Sequence, residues 1–166
     1  LHDGWMKDFS GNISKDSGRI PDQDLSKYLE ASIDEVRNSL AGMTPEERLG
    51  WSLERFRLGF VLTTSFGIQS SVLLHMLSFL KGGLEVPVIW VDTGYLPPET
   101  YHYADLLTKQ LGLNIKPVQS DISASRMEAL YGCLWESGSI ADLEKYHLIR
   151  KVKPLEEALD DHKVIC

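Results

Sequence analysis

The sequence GFVLTTSFGIQSSVLLHM occupies residues 59–76 and passes through three patterns. Residues 60–62 are apolar and partly β-branched, as a buried strand requires. Residues 63–65 are small and hydroxylated, and Gly67 then allows a turn that a side chain would obstruct. Apolar residues follow at helical spacing in two series, Ile68, Val72 and Met76, and Leu73, Leu77 and Leu80. We therefore predict a strand, a hydroxyl-rich turn and a helix.

The predicted turn is suited to holding an anion. Free backbone N–H groups and the positive end of the helix dipole meet there, and Ser65, Ser70 and Ser71 would add hydroxyl donors. The segment is not a Walker P-loop, because no Gly-Lys-Ser/Thr closes it, and Gly67 alone does not make a Rossmann fingerprint. An ordinary strand–turn–helix connection that binds nothing is the alternative.

The same alternation continues along the chain. A second strand is predicted over residues 86–91, and Asp92-Thr93-Gly94 follows it directly. A carboxylate at the C-terminal end of a parallel strand lies where open α/β sheets bind ligands. The next helix begins near Tyr95 and is closed by Gly112, before a third strand over residues 113–118. Its inward residues are predicted to be Tyr103, Leu106, Leu107 and Leu111.

The last third of the chain is predicted to complete the same architecture. Asp121 can cap a helix, and Pro154 can open a short one that runs through Leu159. Residues 163–166 look like the start of a fourth strand. Repeated βα units predict a doubly wound, mostly parallel, Rossmann-like α/β sheet with helices on both faces. The residues expected to point inward from the helix after Asp121 are Ile122, Met127 and Leu130.

An arm and a helical pair are predicted to precede the sheet. Residues 1–20 form the arm, which Trp5 and Phe9 could pin to the body, and residues 21–166 form a single α/β domain. The first helix of the pair runs from Pro21 to about Leu40. The second begins at Thr44-Pro45-Glu46-Glu47, a capping-box pattern.

Composition narrows the classes of function. The formal net charge is −7, which argues against nucleic acid or an acidic membrane as partner, and no apolar run is long enough to span a bilayer. Two cysteines, Cys133 and Cys166, make neither a disulfide framework nor a metal site. A soluble protein of a reducing compartment, cytoplasmic or plastid, is expected.

Four motifs occur in order along the chain. They are residues 64–69 (TSFGIQ), residues 91–100 (VDTGYLPPET), residues 131–136 (YGCLWE, with YG and LWE matching) and residues 150–159 (RKVKPLEEAL, with RKV, PL and AL matching). Together they resemble the phosphoadenylyl-sulfate/adenylyl-sulfate reductase family of the adenine nucleotide α-hydrolase-like group. One motif alone would be weak evidence, but four together, over roughly residues 45–166, are specific.

The resemblance implies a reaction and a set of residue roles. A cysteine thiolate attacks the sulfur of an adenosine phosphosulfate, and thioredoxin or glutaredoxin then releases sulfite from the S-sulfocysteine. The phosphate and sulfate groups would be bound by Ser65, Phe66, Gly67, Gln69 and Ser70, and the adenosine would lie beside Asp92, Thr93, Gly94 and Tyr95. Lys151, with Arg150 beside it, would lie near the phosphosulfate. A solvated pair of charges ahead of Pro154 is the alternative for Arg150 and Lys151.

The chain departs from the family pattern in ways that limit these expectations. The family's catalytic cysteine lies in a C-terminal Glu-Cys-Gly segment that the printed chain lacks, so we expect this chain, taken as a C-terminally truncated unit, to be inactive alone. Tyr146 and His147 replace the cysteine pair of 4Fe–4S members, so no cluster and no other cofactor are expected. Cluster-free members of the family usually use the 3′-phosphorylated substrate, PAPS, so the missing cysteine pair favours PAPS. Residues 150–152 also match the branch that uses adenylyl sulfate, APS, so the choice stays open.

The two cysteines and His75 are not assigned to catalysis, and two rival functions are kept as hypotheses. Cys133 and Cys166 match no catalytic cysteine and are expected to be small packed residues, and His75 a core or boundary histidine. An ATP pyrophosphatase or adenylyltransferase of the same fold would carry an acid where Gln69 and Ser70 stand. A non-catalytic nucleotide-binding domain is the third hypothesis. A homodimer is left open.

Overall fold

The computed structural model describes residues 33–56, 59–160 and 164–165. The predictions for the arm with Trp5 and Phe9, for the start of the first helix and for Cys166 lie outside these residues. Within them, no helix is long and apolar enough to cross a bilayer.

A pair of helices precedes the sheet. Helix α1 spans Ile33–Ala41 and helix α2 spans Pro45–Phe56. The capping box at the start of α2 is confirmed, because the Glu47 amide donates to Thr44 Oγ1 at 3.2 Å and Glu47 Oε2 accepts from the Thr44 amide at 2.7 Å. The predicted helical pair is therefore present as far as the described residues reach.

The sheet is parallel in every described pairing and has the strand order β3-β2-β1-β4. In chain order its elements are β1 (Phe60–Thr64), α3 (Ile68–Phe79), β2 (Pro87–Val91), α4 (Pro98–Leu111), β3 (Asn114–Val118), α5 (Ala124–Tyr131), α6 (Ile140–His147), α7 (Lys153–Leu159) and β4 (Val164–Ile165). The predicted alternation of strands and helices is confirmed, including the fourth strand.

Helices cover both faces of this sheet. Phe60, Leu62 and Val88 share one core cluster with residues of α2, α3 and α4. Val61 and Ile89 alternate with them and are buried on the opposite face. Helix α7 contacts β2 and β3, and its Pro154 is buried. The doubly wound architecture expected from the sequence is confirmed.

Strand β1 extends further than predicted. Thr63 and Thr64 belong to the strand rather than to the turn, and they pair with Ile89 and Trp90 of β2. Threonine is β-branched and fits a pleated strand, so its hydroxyl was a misleading turn signal. The turn therefore begins at Ser65.

One of the two series predicted for α3, Leu73, Leu77 and Leu80, packs against the core, whereas the other, Ile68, Val72 and Met76, does so only at Met76. Leu74 and Leu77 are fully buried, whereas Ile68 is 91% exposed and Val72 is 55% exposed. His75, expected in the core or at its boundary, is exposed. Helix α3 contains no Asp, Glu, Lys or Arg, and its weakly polar residues are spread around it, so spacing alone does not select its buried side.

Two other helices bury only some of the residues predicted to point inward, and in α4 these are Leu107 and Leu111, which pack against the core. Tyr103 and Leu106 of α4 are exposed, and Ala104 is buried in their place. Leu130 of α5 is also exposed, whereas Met127 is buried as expected. Ser123, not Asp121, caps α5, because its hydroxyl accepts a hydrogen bond from the Arg126 amide at 3.2 Å.

The helix predicted to open at Pro154 is part of a longer one. Helix α6 runs directly into a π-helical turn, Leu148–Val152, and α7 continues from Lys153. The Lys153 amide donates to the Leu148 carbonyl, five residues back. Pro154 has no N–H to give to the Arg150 carbonyl, and a widened turn before a proline accommodates that loss.

Candidate functional site

The carboxyl ends of three adjacent strands meet at one edge of the sheet. Thr64 at the end of β1 is in register with Trp90 of β2, and Val91 is in register with Val118 of β3. The Asp92 amide extends the pairing by donating to the Val118 carbonyl at 2.9 Å. The segments after β1, β2 and β3 therefore leave the sheet side by side, at the edge where open parallel sheets bind ligands.

The turn after β1 is shaped by Phe66 and not by Gly67. Phe66 has a φ of 55°, the left-handed region that non-glycine residues rarely adopt. Its amide donates to Thr64 Oγ1 at 3.0 Å, and its buried ring packs edge-on against Trp90, with the ring centroids 5.1 Å apart. Gly67 is extended, with φ −69° and ψ 164°, so the prediction that Gly67 supplies the tight turn is wrong. Burial and the hydrogen bond hold Phe66 in a conformation that costs about 1–3 kcal/mol.

The polar groups of this turn differ in their availability. Ser65 and Gln69 are exposed and Ser70 is half-buried. The hydroxyl of Ser71 is already engaged, since it donates to the Gly67 carbonyl at 3.2 Å and lies 2.6 Å from Tyr103 Oη. Ser65 and Gln69 are therefore the exposed polar side chains of this turn, next to the first amides of α3.

Asp92 anchors the segment that follows β2. The side chain is 8% exposed, and both of its oxygens accept hydrogen bonds. Oδ1 accepts from Tyr101 Oη at 2.6 Å and from the Gly94 amide at 2.8 Å, and Oδ2 accepts from Gln119 Nε2 at 2.6 Å. Burial raises the pKa of Asp92, but these three donors and the charge of Arg150 outweigh it and hold the pKa below its ordinary value. Asp92 is thus ionised and links the segment after β2 to Tyr101 and Gln119.

Arg150 lies beneath the same segment and is 3% exposed. Its Nε donates to the Thr93 carbonyl at 2.7 Å, its Nη2 donates to the same oxygen, and its Nη1 donates to the Ile122 carbonyl. The π-helical turn directs Arg150 inward and leaves Lys151 exposed. The alternative of a solvated pair of charges is therefore wrong for Arg150.

Gly94 is the position where a side chain cannot be accommodated. Its φ is +76°, and a β-carbon there would lie 2.8 Å from Arg150 Nη2. The neighbouring Tyr95 amide donates to Thr93 Oγ1 at 3.3 Å. The backbone after β2 is thus held by Asp92 on one side and Arg150 on the other.

Tyr95 belongs to a cluster of aromatic rings beside the segment after β2. Its ring lies 4.4 Å from that of Trp135 and 6.0 Å from that of Tyr146. Its hydroxyl donates its single proton to Glu128 Oε1 at 2.9 Å and also lies 3.2 Å from the Ala124 carbonyl oxygen. Burial, followed by the hydrogen bond to Glu128 and its charge, raises the pKa of Tyr95 to about 12. Tyr95 therefore stays protonated as a hydrogen-bond donor.

Residues 59–166 match the family model of the phosphoadenosine phosphosulfate reductase domain. The chain belongs to this family. The matched range contains the turn after β1, the segment after β2 and the π-helical turn.

Bacterial relatives support the same assignment to the reductase family. Proteins named phosphoadenosine 5′-phosphosulfate reductase are 48% identical in Synechococcus sp., 45% in Vibrio cholerae and 42% in Shewanella oneidensis. The matches cover 78%, 76% and 81% of this chain and 55%, 49% and 54% of those proteins. The chain thus spans about half the length of the curated relatives it matches.

A solved structure of the family has the same fold. The PAPS reductase of Candida auris, described as a phosphate complex, superposes with a TM-score of 0.70 at 25% identity. The superposition covers 82% of this chain and 66% of that one.

Three residues of the candidate site were not among those predicted from the sequence. Tyr101 and Gln119 hold Asp92, and Glu128 holds the Tyr95 hydroxyl. Gln119 could have been found, because it directly follows β3 as Asp92 directly follows β2. Tyr101 and Glu128 lie within helices, where no comparable positional signal exists.

No group of His, Cys, Asp and Glu suited to a metal ion occurs among the described residues. Cys133, predicted to be packed, is exposed, because Gly132 turns the chain outward at the end of α5. Local desolvation, then Glu136 and Glu128, raise the pKa of the Cys133 thiol. A raised pKa reduces the thiolate that a nucleophile requires.

Proposed function

We propose that the protein is a phosphoadenosine phosphosulfate reductase and that this chain is its sulfonucleotide-binding unit. The observation that carries the proposal is the 42–48% identity to bacterial proteins of that name. Those names favour the 3′-phosphorylated substrate over adenylyl sulfate. The phosphate complex of the Candida auris enzyme supports an anion site in this fold.

The residues of the site divide between the two parts of the substrate. Ser65, with the amides of the turn and α3, would bind the phosphate and sulfate groups, and Lys151 would add a positive charge. The adenosine would lie along residues 92–95, whose backbone Asp92 and Arg150 hold in place. The full set comprises Ser65, Phe66, Gly67, Gln69, Ser70, Asp92, Thr93, Gly94, Tyr95, Arg150 and Lys151.

The proposed reaction has two steps and uses no metal. A cysteine thiolate of the protein attacks the sulfur of PAPS, the S–O bond breaks, and adenosine 3′,5′-bisphosphate leaves with the electron pair. A thioredoxin- or glutaredoxin-type dithiol then reduces the S-sulfocysteine, giving sulfite, the regenerated thiol and an oxidised disulfide. Thiols must stay reduced for this cycle, which favours a reducing compartment. Neither Cys133 nor Cys166 is assigned as the nucleophile.

A substrate comparison tests the proposal. Protein expressed from the complete reading frame is given PAPS or APS with reduced thioredoxin, and sulfite and the nucleotide product are measured. We expect sulfite and adenosine 3′,5′-bisphosphate in equal amounts, with a higher kcat/KM for PAPS than for APS. A protein that makes sulfite from neither compound would overturn the assignment, and a preference for APS would overturn the substrate.

Iron analysis tests the absence of a cluster separately. Tyr146 and His147 offer no thiolate where the cluster-bearing branch carries paired cysteines. We propose that anaerobically purified protein contains no stoichiometric iron or acid-labile sulfide. Four irons per chain would contradict this part of the proposal.

A further inference from the structure

Arg150 is buried more completely than a ligand-binding cation would be. Among the described residues it is the most deeply buried charged side chain, with 3% of it exposed. A buried guanidinium is tolerated only when its donors are paired. The pairing partners of Arg150 therefore indicate what the side chain does.

Those partners are backbone carbonyls from two separate segments. Nε and Nη2 donate to the carbonyl of Thr93, after β2, and Nη1 donates to the carbonyl of Ile122, before α5. The planar fork of arginine can serve both oxygens at once, whereas the single ammonium of lysine cannot. Arg150 thus joins the π-helical turn to two of the segments at the carboxyl edge.

The segment that Arg150 holds is the one assigned to the adenosine. The guanidinium occupies the space beside Gly94, lies 5.5 Å from the Tyr95 ring centroid, and adds its charge to the environment of Asp92. Its neighbour Lys151 lies on the surface. One turn of helix therefore carries one cation that supports the backbone and another that is free to meet a ligand.

We infer that Arg150 is a positioning residue, which holds residues 92–95 for the adenosine from within the protein and does not touch the phosphate or sulfate groups. The inference rests on the proposed function, because it takes the adenosine to lie along this segment. Arg150 should then affect every adenosine ligand alike, and Lys151 should affect ligands according to their charge.

A comparison of ligands separates the two roles. Protein from the complete reading frame is prepared as wild type, Arg150→Ala and Lys151→Ala, and binding of adenosine 3′,5′-bisphosphate, AMP and adenosine is measured by calorimetry and competition. Arg150→Ala should weaken all three by a similar factor, about tenfold, or 1.4 kcal/mol. Lys151→Ala should weaken the bisphosphate most and adenosine least. Lys153→Ala, at an exposed lysine of α7, is the matched control for loss of charge.

Chemical rescue and kinetics distinguish positioning from general damage to the fold. Millimolar guanidinium should restore nucleotide binding to Arg150→Ala, and methylammonium of the same charge should not. In the full reaction KM should rise while kcat at saturation is kept, because ground state and transition state lose the same binding. Arg150→Lys should show an intermediate defect, which keeps the test valid if the alanine variant folds poorly.

Hydrogen exchange gives a readout that needs no ligand. Arg150→Ala should speed exchange of the Gly94 and Tyr95 amides, which donate to Asp92 and Thr93. A loss of affinity confined to phosphorylated ligands, or unchanged exchange, would overturn the positioning role. A different outcome is that Arg150→Ala speeds exchange but the wild type binds none of the three ligands. That result would contradict the proposed function and would still support the structural role of Arg150 in holding residues 93–95.

Discussion

The guanidinium of Arg150 fills the space that a side chain at Gly94 would need, with Nη2 only 2.8 Å from the position of a β-carbon. Gly94 is also held at a φ of +76°. Two independent restrictions, one from the backbone and one from a buried cation, therefore fall on a single residue at the end of β2. A substitution at Gly94 therefore tests the contact between Arg150 and the backbone after β2.

Gly94→Ala should destabilise the protein more than its backbone conformation alone explains. A side chain at positive φ costs about 1–2 kcal/mol, and displacing Arg150 from the Thr93 carbonyl adds about 1.5–3 kcal/mol. The free energy of unfolding is measured by urea denaturation. Gly138→Ala is the matched control, since Gly138 has a φ of +72° and nothing within 4 Å of its β-carbon position. The double variant Gly94→Ala/Arg150→Ala should lose less unfolding free energy than the sum of the two single losses. Additive losses would contradict a steric clash between Arg150 and a side chain at position 94.

Asp92→Asn should lower stability at neutral pH and remove part of its acid dependence. The pKa of Asp92 is depressed in the folded protein, so its contribution is present above the ordinary value of 3.8 and is lost as the pH falls through the folded pKa. Loss of the charged acceptor should cost about 1.5–3 kcal/mol at pH 7. Urea midpoints between pH 2.5 and pH 7, roughly spanning that titration, should fall less steeply for the variant at the acid end.

Asp105→Asn provides the comparison for Asp92. Asp105 is exposed and pairs with Lys109 at 2.7 Å, one helical turn away. Its replacement should change stability by less than about 0.5 kcal/mol. Equal effects of the two substitutions would mean that the contacts of Asp92 with Tyr101, Gly94 and Gln119 do not stabilise the fold.

Much of this architecture could be predicted from the order of strands, turns and helices, but its two least regular features could not. The glycine rule points to Gly67, whereas burial of the Phe66 ring against Trp90 and the hydrogen bond to Thr64 put the left-handed residue one position earlier. Arg150 looks like a surface charge in sequence, because its partners Thr93 and Ile122 are distant in the chain and offer only backbone oxygens. Local patterns do not record contacts of that kind.

Tyr95 should titrate at strongly alkaline pH. Its folded pKa is raised to about 12 from the ordinary tyrosine value of 10.0, so its contribution to stability is complete below pH 10.0 and is lost as the pH rises through about 12. The absorbance difference at 295 nm (roughly the tyrosinate band) between wild type and Tyr95→Phe isolates its ionisation. Glu128→Gln should move that ionisation to lower pH, since it removes the charge that disfavours tyrosinate, and Glu157→Gln at an exposed glutamate should not. Ionisation near pH 10 in the otherwise unchanged protein would show that the Tyr95–Glu128 contact is not formed in solution.

Ser65→Ala should weaken binding of adenosine 3′,5′-bisphosphate by about tenfold, because it removes one hydroxyl donor to a charged ligand. Ser65 is exposed beside Phe66, whose strained backbone is already held by Thr64 and Trp90. The turn therefore needs little rearrangement before it meets the anion, and the loss should appear as a faster dissociation rate in stopped-flow measurements. Ser78→Ala, at the far end of α3 where the hydroxyl bonds only to the His75 carbonyl among the described contacts, is the matched control. Ser65→Ala should not weaken the binding of adenosine, which carries no phosphate group. An equal loss for adenosine and for the bisphosphate would place Ser65 on the adenosine side and refute the division of the site between its two loops.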